Sequence, residues 1–391
     1  MRAEVVIVGA GPAGSVAALN LAPVRDVIVL DAAPTDVPHV GHALVPAAGR
    51  LLADMGLLDG LLRQGHAAWH GNLADWGHGG ALELDFLRGP GGPGWHLDRA
   101  CFDGWLRACA RTRGARMVAP ARLSAIKAAG TGWTVRASSG AGQVEIRADL
   151  IVDATGRASA VARRLGCRRI IGDRLACGWV QRRAANPSTG AGIARIHAEA
   201  GGWWYLAPAP GSTRILAFHT DPDLPQARDA ADPSRLLARA SGVPGLGPLL
   251  AGLELASAGP SGYAAAGSGR LAAFCGPGWL AAGDAAISVD PLSSQGLMNA
   301  LFTGLAVAEA ADRHLGGDAT ALGGYSEALT RVWNAYVRQL RAAYRDERRW
   351  PDAPFWHRRR NADEVSGAGP SRAARRTPFP ASSPGPPSEA G

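Results

Sequence analysis

The stretch that most restricts what this chain can fold into is Val5-Val6-Ile7-Val8-Gly9-Ala10-Gly11-Pro12-Ala13-Gly14. Four apolar β-branched residues read as a buried parallel strand, and the G-x-G-x-x-G spacing that follows turns the chain into a helix. Gly9 suits a tight turn, Gly11 lets backbone amides approach a pyrophosphate, and Gly14 lets the helix pack closely on the strand. The helix N-terminus, with Pro12 and Ala13 in its first turn, then faces an anion. A second apolar run, Val27 to Leu30, ends in Asp31, whose carboxylate can accept a ribose hydroxyl. Strand, turn, helix, strand and acid in that order predict a dinucleotide site rather than an ordinary glycine-rich turn.

Composition narrows the class. At 391 residues and 47% hydrophobic content the chain can build a large core, and two lobes are expected. No apolar run approaches the roughly 20 residues that span a bilayer, and the N-terminus runs almost directly into the nucleotide strand. This predicts no signal peptide and no membrane association. Five cysteines, an odd number without C-x-x-C spacing, predict neither a disulfide framework nor a zinc site, and point to a cytoplasmic setting. The net charge of +8 is no nucleic-acid signature: from Arg341 onward ten Arg face six Asp or Glu, so half the excess sits near the C-terminus. Lys127 is the only lysine.

Along the chain, a first helix is expected from about Ala13 to Ala22, stopped by Pro23. A weakly alternating stretch, His66 to Leu87, reads as strands. Asp98 is expected to cap a helix whose apolar face is Phe102, Trp105, Leu106 and Cys109, ended by Gly114. Short strands follow (116–118, 122–127, 133–137, 144–146), then Leu150-Ile151-Val152-Asp153-Ala154-Thr155-Gly156-Arg157, a strand ending in a small-residue turn. From Ala176 to about Thr220, alternating strands predict a separate antiparallel sheet. Residues 221–262 read as polar loop and short helix. The chain then returns to the buried strand Trp279-Leu280-Ala281-Ala282, which ends in Gly283-Asp284. Asp290-Pro291-Leu292-Ser293-Ser294-Gln295-Gly296 leads into a helix with a face of Met298, Leu301, Phe302 and Leu305. A long amphipathic helix from about Tyr325 aligns Leu329, Val332, Trp333, Tyr336, Val337, Leu340 and Tyr344, a stripe expected to pack on the body of the protein. From Ser366 the composition predicts disorder.

A flavin dinucleotide needs a phosphate loop, an acid for the adenosine ribose and a later group near the ribityl chain, and Gly9 to Gly14, Asp31 and Gly283-Asp284 can fill these roles. Their order resembles the flavoprotein monooxygenases of the p-hydroxybenzoate hydroxylase fold, whose middle motif is similar to Asp153-Ala154-Thr155-Gly156. That resemblance implies an α/β fold: a Rossmann-type, glutathione reductase-like FAD-binding domain, an inserted antiparallel β-sheet substrate lobe and C-terminal helices. It places Asp284 at the ribityl or pyrophosphate region and Pro291 to Gly296, with Ser294 and Gln295, against the flavin ring. A helix starting near Gln295 would direct its positive end to the flavin edge where negative charge collects on reduction. The alternative for Asp284 is a helix N-cap.

The likeness is closest to the branch of flavin-dependent tryptophan halogenases and of the flavoproteins that help mature cysteine tryptophylquinone enzymes. It rests on Gly41 to Pro46, Gly94-Trp95-His96-Leu97-Asp98-Arg99, Trp203-Trp204-Tyr205-Leu206-Ala207-Pro208, Asp290 to Gly296, and Arg349-Trp350-Pro351 to Trp356. It adds Arg99 to the expected FAD contacts. Halogenases of the branch carry W-x-W-x-I-P and an active-site lysine; here the motif is Trp203-x-Tyr205-x-Ala207-Pro208, and Lys127 falls in a nucleotide-domain strand. The Gly-Glu pair typical of the branch is Gly41-His42, and His42 is either a pocket residue or a loop histidine without a task.

The resemblance implies an FAD-dependent monooxygenase that hydroxylates an indole or phenol, free or as a peptide-borne Trp, through a flavin C4a-hydroperoxide. The rivals are a halogenase, a reductase of isoprenoid chains and a non-catalytic maturation factor. Trp203, Trp204 and Tyr205 would offer stacking surface, or else form sheet core. With no second G-x-G-x-x-G, electrons would come from transiently bound NAD(P)H or from reduced flavin made by a reductase, and O₂ would be the co-substrate. No metal is expected. The expected division is an FAD-binding part at 1–65, 98–170 and 266–312, strands at 66–97 joining a substrate lobe at 171–265, a helical region at 313–362 and a tail at 366–391.

Overall fold

A computed structural model describes residues 1–32, 40–77, 81–86, 91–140, 142–186 and 192–360; the tail expected at 366–391 lies outside the described residues. The nucleotide-type strands form one parallel ladder. Arg2–Val8 sits between Gly142–Asp153 and Val27–Leu30, with Trp279–Ala281 beyond the first and Arg116–Val118 beyond the second, all parallel. Val5 to Val8 and Val27 to Leu30 are buried, as strands covered on both faces must be. Two antiparallel strands, Ala121–Ala129 and Gly132–Ser139, run on from Gly142–Asp153, whose single length joins the two separate strands expected at 144–146 and 150–153.

Helix Pro12–Leu21 packs beside this sheet on the long helix Gly296–Leu315. The buried face of that second helix is Leu297, Leu301, Gly304, Val307, Ala308 and Ala311, rather than the expected Met298, Phe302 and Leu305. Close contact decides this: a side chain at Gly304 would meet the Ala13 carbonyl oxygen at 2.6 Å, so the small-residue side faces Pro12–Leu21. Asp98 caps Arg99–Thr112 by accepting from the Cys101 amide at 3.0 Å. Helix Ala321–Asp346 starts four residues before Tyr325 and buries Tyr325, Leu329, Tyr336 and Tyr344.

The second sheet is mostly antiparallel. Its seven strands lie in the order Ser261–Ala265, Ala176–Arg183, Thr213–Thr220, Gly202–Ala209, Ile193–Glu199, Gly71–Asp75, Ala81–Asp85, with Gly71–Asp75 running parallel to Ile193–Glu199. The rest of the 66–97 stretch does not follow. Ala67–Trp69 and Gly94–His96 pair in a small sheet with Ala43–Leu44. Residues 221–262, expected as polar loop and short helix, hold three short helices, Gln226–Ala231, Pro233–Ser241 and Gly247–Leu253. Leu236, Ala240, Leu246, Leu250 and Leu253 close one face of the seven-stranded sheet, packing on Val180, Leu206, Leu216 and Phe218. No helix of the described residues is long and apolar enough to cross a membrane.

Candidate active site

The other face of the seven-stranded sheet looks across a cleft of about 460 Å³ toward the carboxyl ends of the parallel strands. Gly11, Pro12 and Ala13 line one part of it, with Arg99, Gly156, Arg157 and Asp284; Pro291, Ser294, Gly296 and Leu297 line another; and Trp203, Tyr205, Ile215, Ala217 and His219 form the wall.

The glycine loop is shaped by close approach. Gly9 has φ +105°, and a side chain there would meet the Ala154 carbonyl oxygen at 2.2 Å; at Gly14 it would meet the Gly9 oxygen at 1.9 Å. At Gly11 it would meet nothing within 4 Å, because that position opens on the cleft. Gly9 and Gly14 therefore fit the turn to the sheet, while Gly11 leaves space for a ligand. Asp31 follows the Val27–Leu30 strand, its backbone held by Val118 and Ala121. It is not among the cleft-lining residues, and neither are Gly9, Gly14, Gly283 and Gln295, which lie behind or beside them.

Two helix N-termini reach the cleft. Neither Pro12–Leu21 nor Gly296–Leu315 has a side-chain cap or an acid in its first turn, so each retains backbone donors and a positive end. Arg99 is fixed by a two-point pair with Asp103 (3.1 and 2.9 Å) and donates to the Gly41 carbonyl at 2.8 Å. Asp153 organises the next turn: its carboxylate accepts from the Thr155 amide and hydroxyl and from the amides of Val161 and Ala162. That turn presents Arg157, which the sequence reading did not single out. Arg157 lies 3.3 Å from Asp284 and donates to the carbonyls of Ala266, Gly267 and Val289. Arg169, also not anticipated, holds the Asp284 carbonyl at 3.0 Å. Enclosure raises the Asp284 carboxyl above its ordinary value, opposed by the charges of Arg157, Arg169 and Arg99. The Gly283 amide donates to Thr303 at 2.7 Å.

The Pro291–Gly296 turn is held from Asp290, which is fully buried. One carboxylate oxygen caps the Leu292 amide (2.9 Å) and the other accepts from the Tyr344 hydroxyl (2.7 Å). Burial and nearby Asp173 push this acid upward, while Leu292, Arg359 and Tyr344 pull it back.

Along the wall, alternation sorts the aromatics. Trp203 and Tyr205 face the cleft. Trp204 does not, and its expected place as a pocket residue is corrected. It packs on Phe218 (4.4 Å between centroids) among Leu236 and Leu246, and donates to Glu199 at 3.0 Å. His219 stacks on Trp203 at 3.6 Å and 8°, and burial pushes its imidazole down to about 3, so it is neutral. Burial pushes the Cys177 thiol, on the same wall, up to about 12. The Tyr205 hydroxyl is buried and has no hydrogen-bond partner among the described residues. His42 is buried at the cleft edge, with Nδ1 2.9 Å from the Leu97 carbonyl oxygen. Lys127 lies on the Ala121–Ala129 strand, and no lysine lines the cleft.

Open space at Gly11, two uncapped helix ends and two arginines fit an anionic dinucleotide at one end, while the wall carries no charged side chain. Among the described residues no cluster suited to a metal ion occurs.

Comparison with known proteins places the chain among FAD-binding proteins. A sequence profile described as an FAD binding domain matches residues 2–241. The chain is 26% identical over 372 residues to LodB of Marinomonas mediterranea, described provisionally as an FAD-dependent oxidoreductase, covering 91% of this chain and 96% of that one. It is 28% identical over 349 residues to a menaquinone reductase of Mycolicibacterium smegmatis (79% and 76% covered). Among solved structures, the myxobacterial chondrochloren halogenase CndH superposes with a TM-score of 0.83 at 22% identity (93% and 88% covered). The peptidyl tryptophan dihydroxylase QhpG does so at 0.74 and 24% (92% and 79% covered).

Proposed function

We propose that this chain, which belongs to the FAD-binding-domain family and is an FAD-dependent oxidoreductase of the monooxygenase type, hydroxylates a neutral aromatic ring, an indole or phenol, including a Trp carried in a peptide. The observation that carries this reading is the polarity of this cleft: charges and helix ends at one side, an uncharged aromatic wall at the other. Bound there, FAD supplies the redox and oxygen chemistry.

The chain's own residues would do the rest. Backbone amides at Gly11 and Ala13 would hold the pyrophosphate, with Asp31 on the adenosine ribose. Arg99, Arg157 and Asp284 would bind the middle of the cofactor, and the Gly296 helix end would face the ring system. Trp203, Tyr205, Ile215 and Ala217 would orient the substrate ring and exclude water. Two electrons from NAD(P)H, direct or through a flavin reductase, and one O₂ would place one oxygen atom on the ring and release the other as water. The likeness to QhpG, a peptidyl tryptophan dihydroxylase, supports a peptide-borne Trp among the substrates. The lack of a cleft lysine favours hydroxylation over halogenation.

The test is turnover of N-acetyl-tryptophanamide and of a Trp-containing peptide by flavin-loaded protein with NADH, a flavin reductase and O₂. Mass spectrometry should find added oxygen that derives from ¹⁸O₂. A halogenated product with bromide present, or no product from any indole or phenol, contradicts the reading. The menaquinone reductase relative favours a second reading, reduction of an isoprenoid chain. An anaerobic assay with menaquinone and NADH or dithionite as reductant decides it by a mass gain of two hydrogens that persists after the ring is reoxidised to the quinone.

A further inference from the structure

Three buried side chains join the aromatic wall to the turn at the opposite side of the cleft. The Trp203 indole Nε1 donates to the Tyr344 hydroxyl at 3.2 Å, and that hydroxyl donates to Asp290 Oδ2 at 2.7 Å. An indole can only donate, so the phenol oxygen accepts from Trp203, and the phenol proton goes to the Asp290 carboxylate. Asp290 is in turn the anchor of the turn beyond it. Its other oxygen caps Leu292, its amide donates to the Tyr336 hydroxyl at 2.7 Å, and its carbonyl accepts from the Ser293 hydroxyl at 2.7 Å. The turn ends at Ser294 with φ +53°, a left-handed conformation that a serine adopts only where its surroundings impose it. Gly296–Leu315 starts two residues later.

Both ends of this chain of bonds are cleft surface: Trp203 on the wall, and Pro291, Ser294 and Gly296 on the turn. Tyr344 is not among the cleft-lining residues. Its ring is held by Trp76, Phe355 and Trp356, with Arg359 over its face, so its place does not depend on its hydroxyl. Leu292 of the turn packs in the same apolar cluster as Trp203 and Ala217, and the hydroxyl adds a directional hydrogen-bonded connection between the wall and the Asp290 turn.

We infer that Tyr344 is a positioning residue, whose hydroxyl registers the Trp203 wall with the Asp290–Gly296 turn and so fixes the helix end that faces the FAD ring system. The inference rests on the FAD reading above. Loss of the hydroxyl leaves Asp290 Oδ2 without its donor and releases the turn, while ring packing is retained. A positive helix end that is less firmly held stabilises the reduced, more negative cofactor less, so the midpoint potential falls. Trp203→Phe removes the first bond of the same relay and should act in the same direction. If both variants break one relay, the double variant should go no further than the larger single effect.

The experiment uses the full-length, FAD-loaded protein and its Tyr344→Phe, Trp203→Phe and double variants. The visible spectrum of the bound flavin, its midpoint potential and the melting temperature are read on each. The expected result is a lower potential and an altered flavin spectrum in both single variants, with no further change in the double. A fall in melting temperature with spectrum and potential unmoved means that Tyr344 is only packing, and overturns the inference; so do single shifts that sum in the double. A wild-type protein that binds no FAD overturns the cofactor reading itself, and this assignment with it.

Discussion

Substituting alanine at two glycines of one loop should give opposite phenotypes. At Gly14 the new methyl group would lie 1.9 Å from the Gly9 carbonyl oxygen and 3.1 Å from the Ala154 side chain, both parts of the packed strand–helix junction. Helix Pro12–Leu21 must shift to admit it. Overpacking of this kind costs about 1–3 kcal/mol, a loss of stability that does not depend on cofactor. At Gly11 the methyl group meets no protein atom within 4 Å, and the backbone (φ −69°, ψ −176°) is one that alanine adopts freely. Gly11→Ala should therefore leave the flavin-free protein within about 0.5 kcal/mol of wild type. The methyl group would instead occupy the space a phosphate needs. Loss of one charge-assisted hydrogen bond is worth about 1.5–3 kcal/mol, or about ten- to a hundredfold in Kd for FAD. Thermal melts with and without FAD, and a fluorescence titration with FAD, separate the two variants. A Gly11→Ala protein that melts early without cofactor yet binds FAD as wild type would refute the assignment of that space.

Other substitutions follow from the same geometry. Asp284→Ala should lose most bound FAD, measured as flavin per chain after gel filtration, because Arg157 and the cleft both lose their partner there. Trp204→Ala should destabilise the protein by about 3–5 kcal/mol in denaturant unfolding, as a cavity in apolar packing does. Tyr205→Phe should leave stability within about 0.5 kcal/mol, since its hydroxyl has no partner to lose. Burial pushes His96 down to about 3, so the folded protein resists a proton that the unfolded chain binds below about 6.5. The folded-state value is the lower one, so stability is present above that range and is lost as pH falls, by up to about 2 kcal/mol at pH 5. His96→Phe should flatten the stability profile between pH 7 and 5 by about that amount, and an unchanged profile would show that His96 takes up its proton when folded.

Legibility in the sequence followed the strength of local rules. The glycine loop, the Asp98 cap and the long C-terminal helix were readable because turn geometry, side-chain capping and helical periodicity act over a few residues. The three helices at 226–253 were legible only as polar loop and short helix, since their apolar positions are spread among Pro, Gly and Asp residues. Trp204 was misplaced for a different reason. The seven-stranded sheet is covered by helices on one face and forms the cleft wall on the other, so both parities along Trp203-Trp204-Tyr205-Leu206 are apolar, and alternation cannot say which side meets a ligand. Arg157, Arg169 and Tyr344 belong to the site through contacts more than a hundred residues apart, and His219 through a stack on Trp203 of the neighbouring strand, for which one sequence carries no local signal. Only the position of Arg157, directly after Gly156 in a predicted turn, hinted at its place.

The central claim, that the cleft between Gly11 and Trp203 is built around a bound flavin dinucleotide, is tested most directly by the flavin content of the purified full-length protein. After incubation with FAD and gel filtration, the absorbance spectrum should show close to one FAD per chain, released on denaturation as intact FAD rather than FMN. Protein that emerges colourless and does not quench the fluorescence of added FAD would contradict the account.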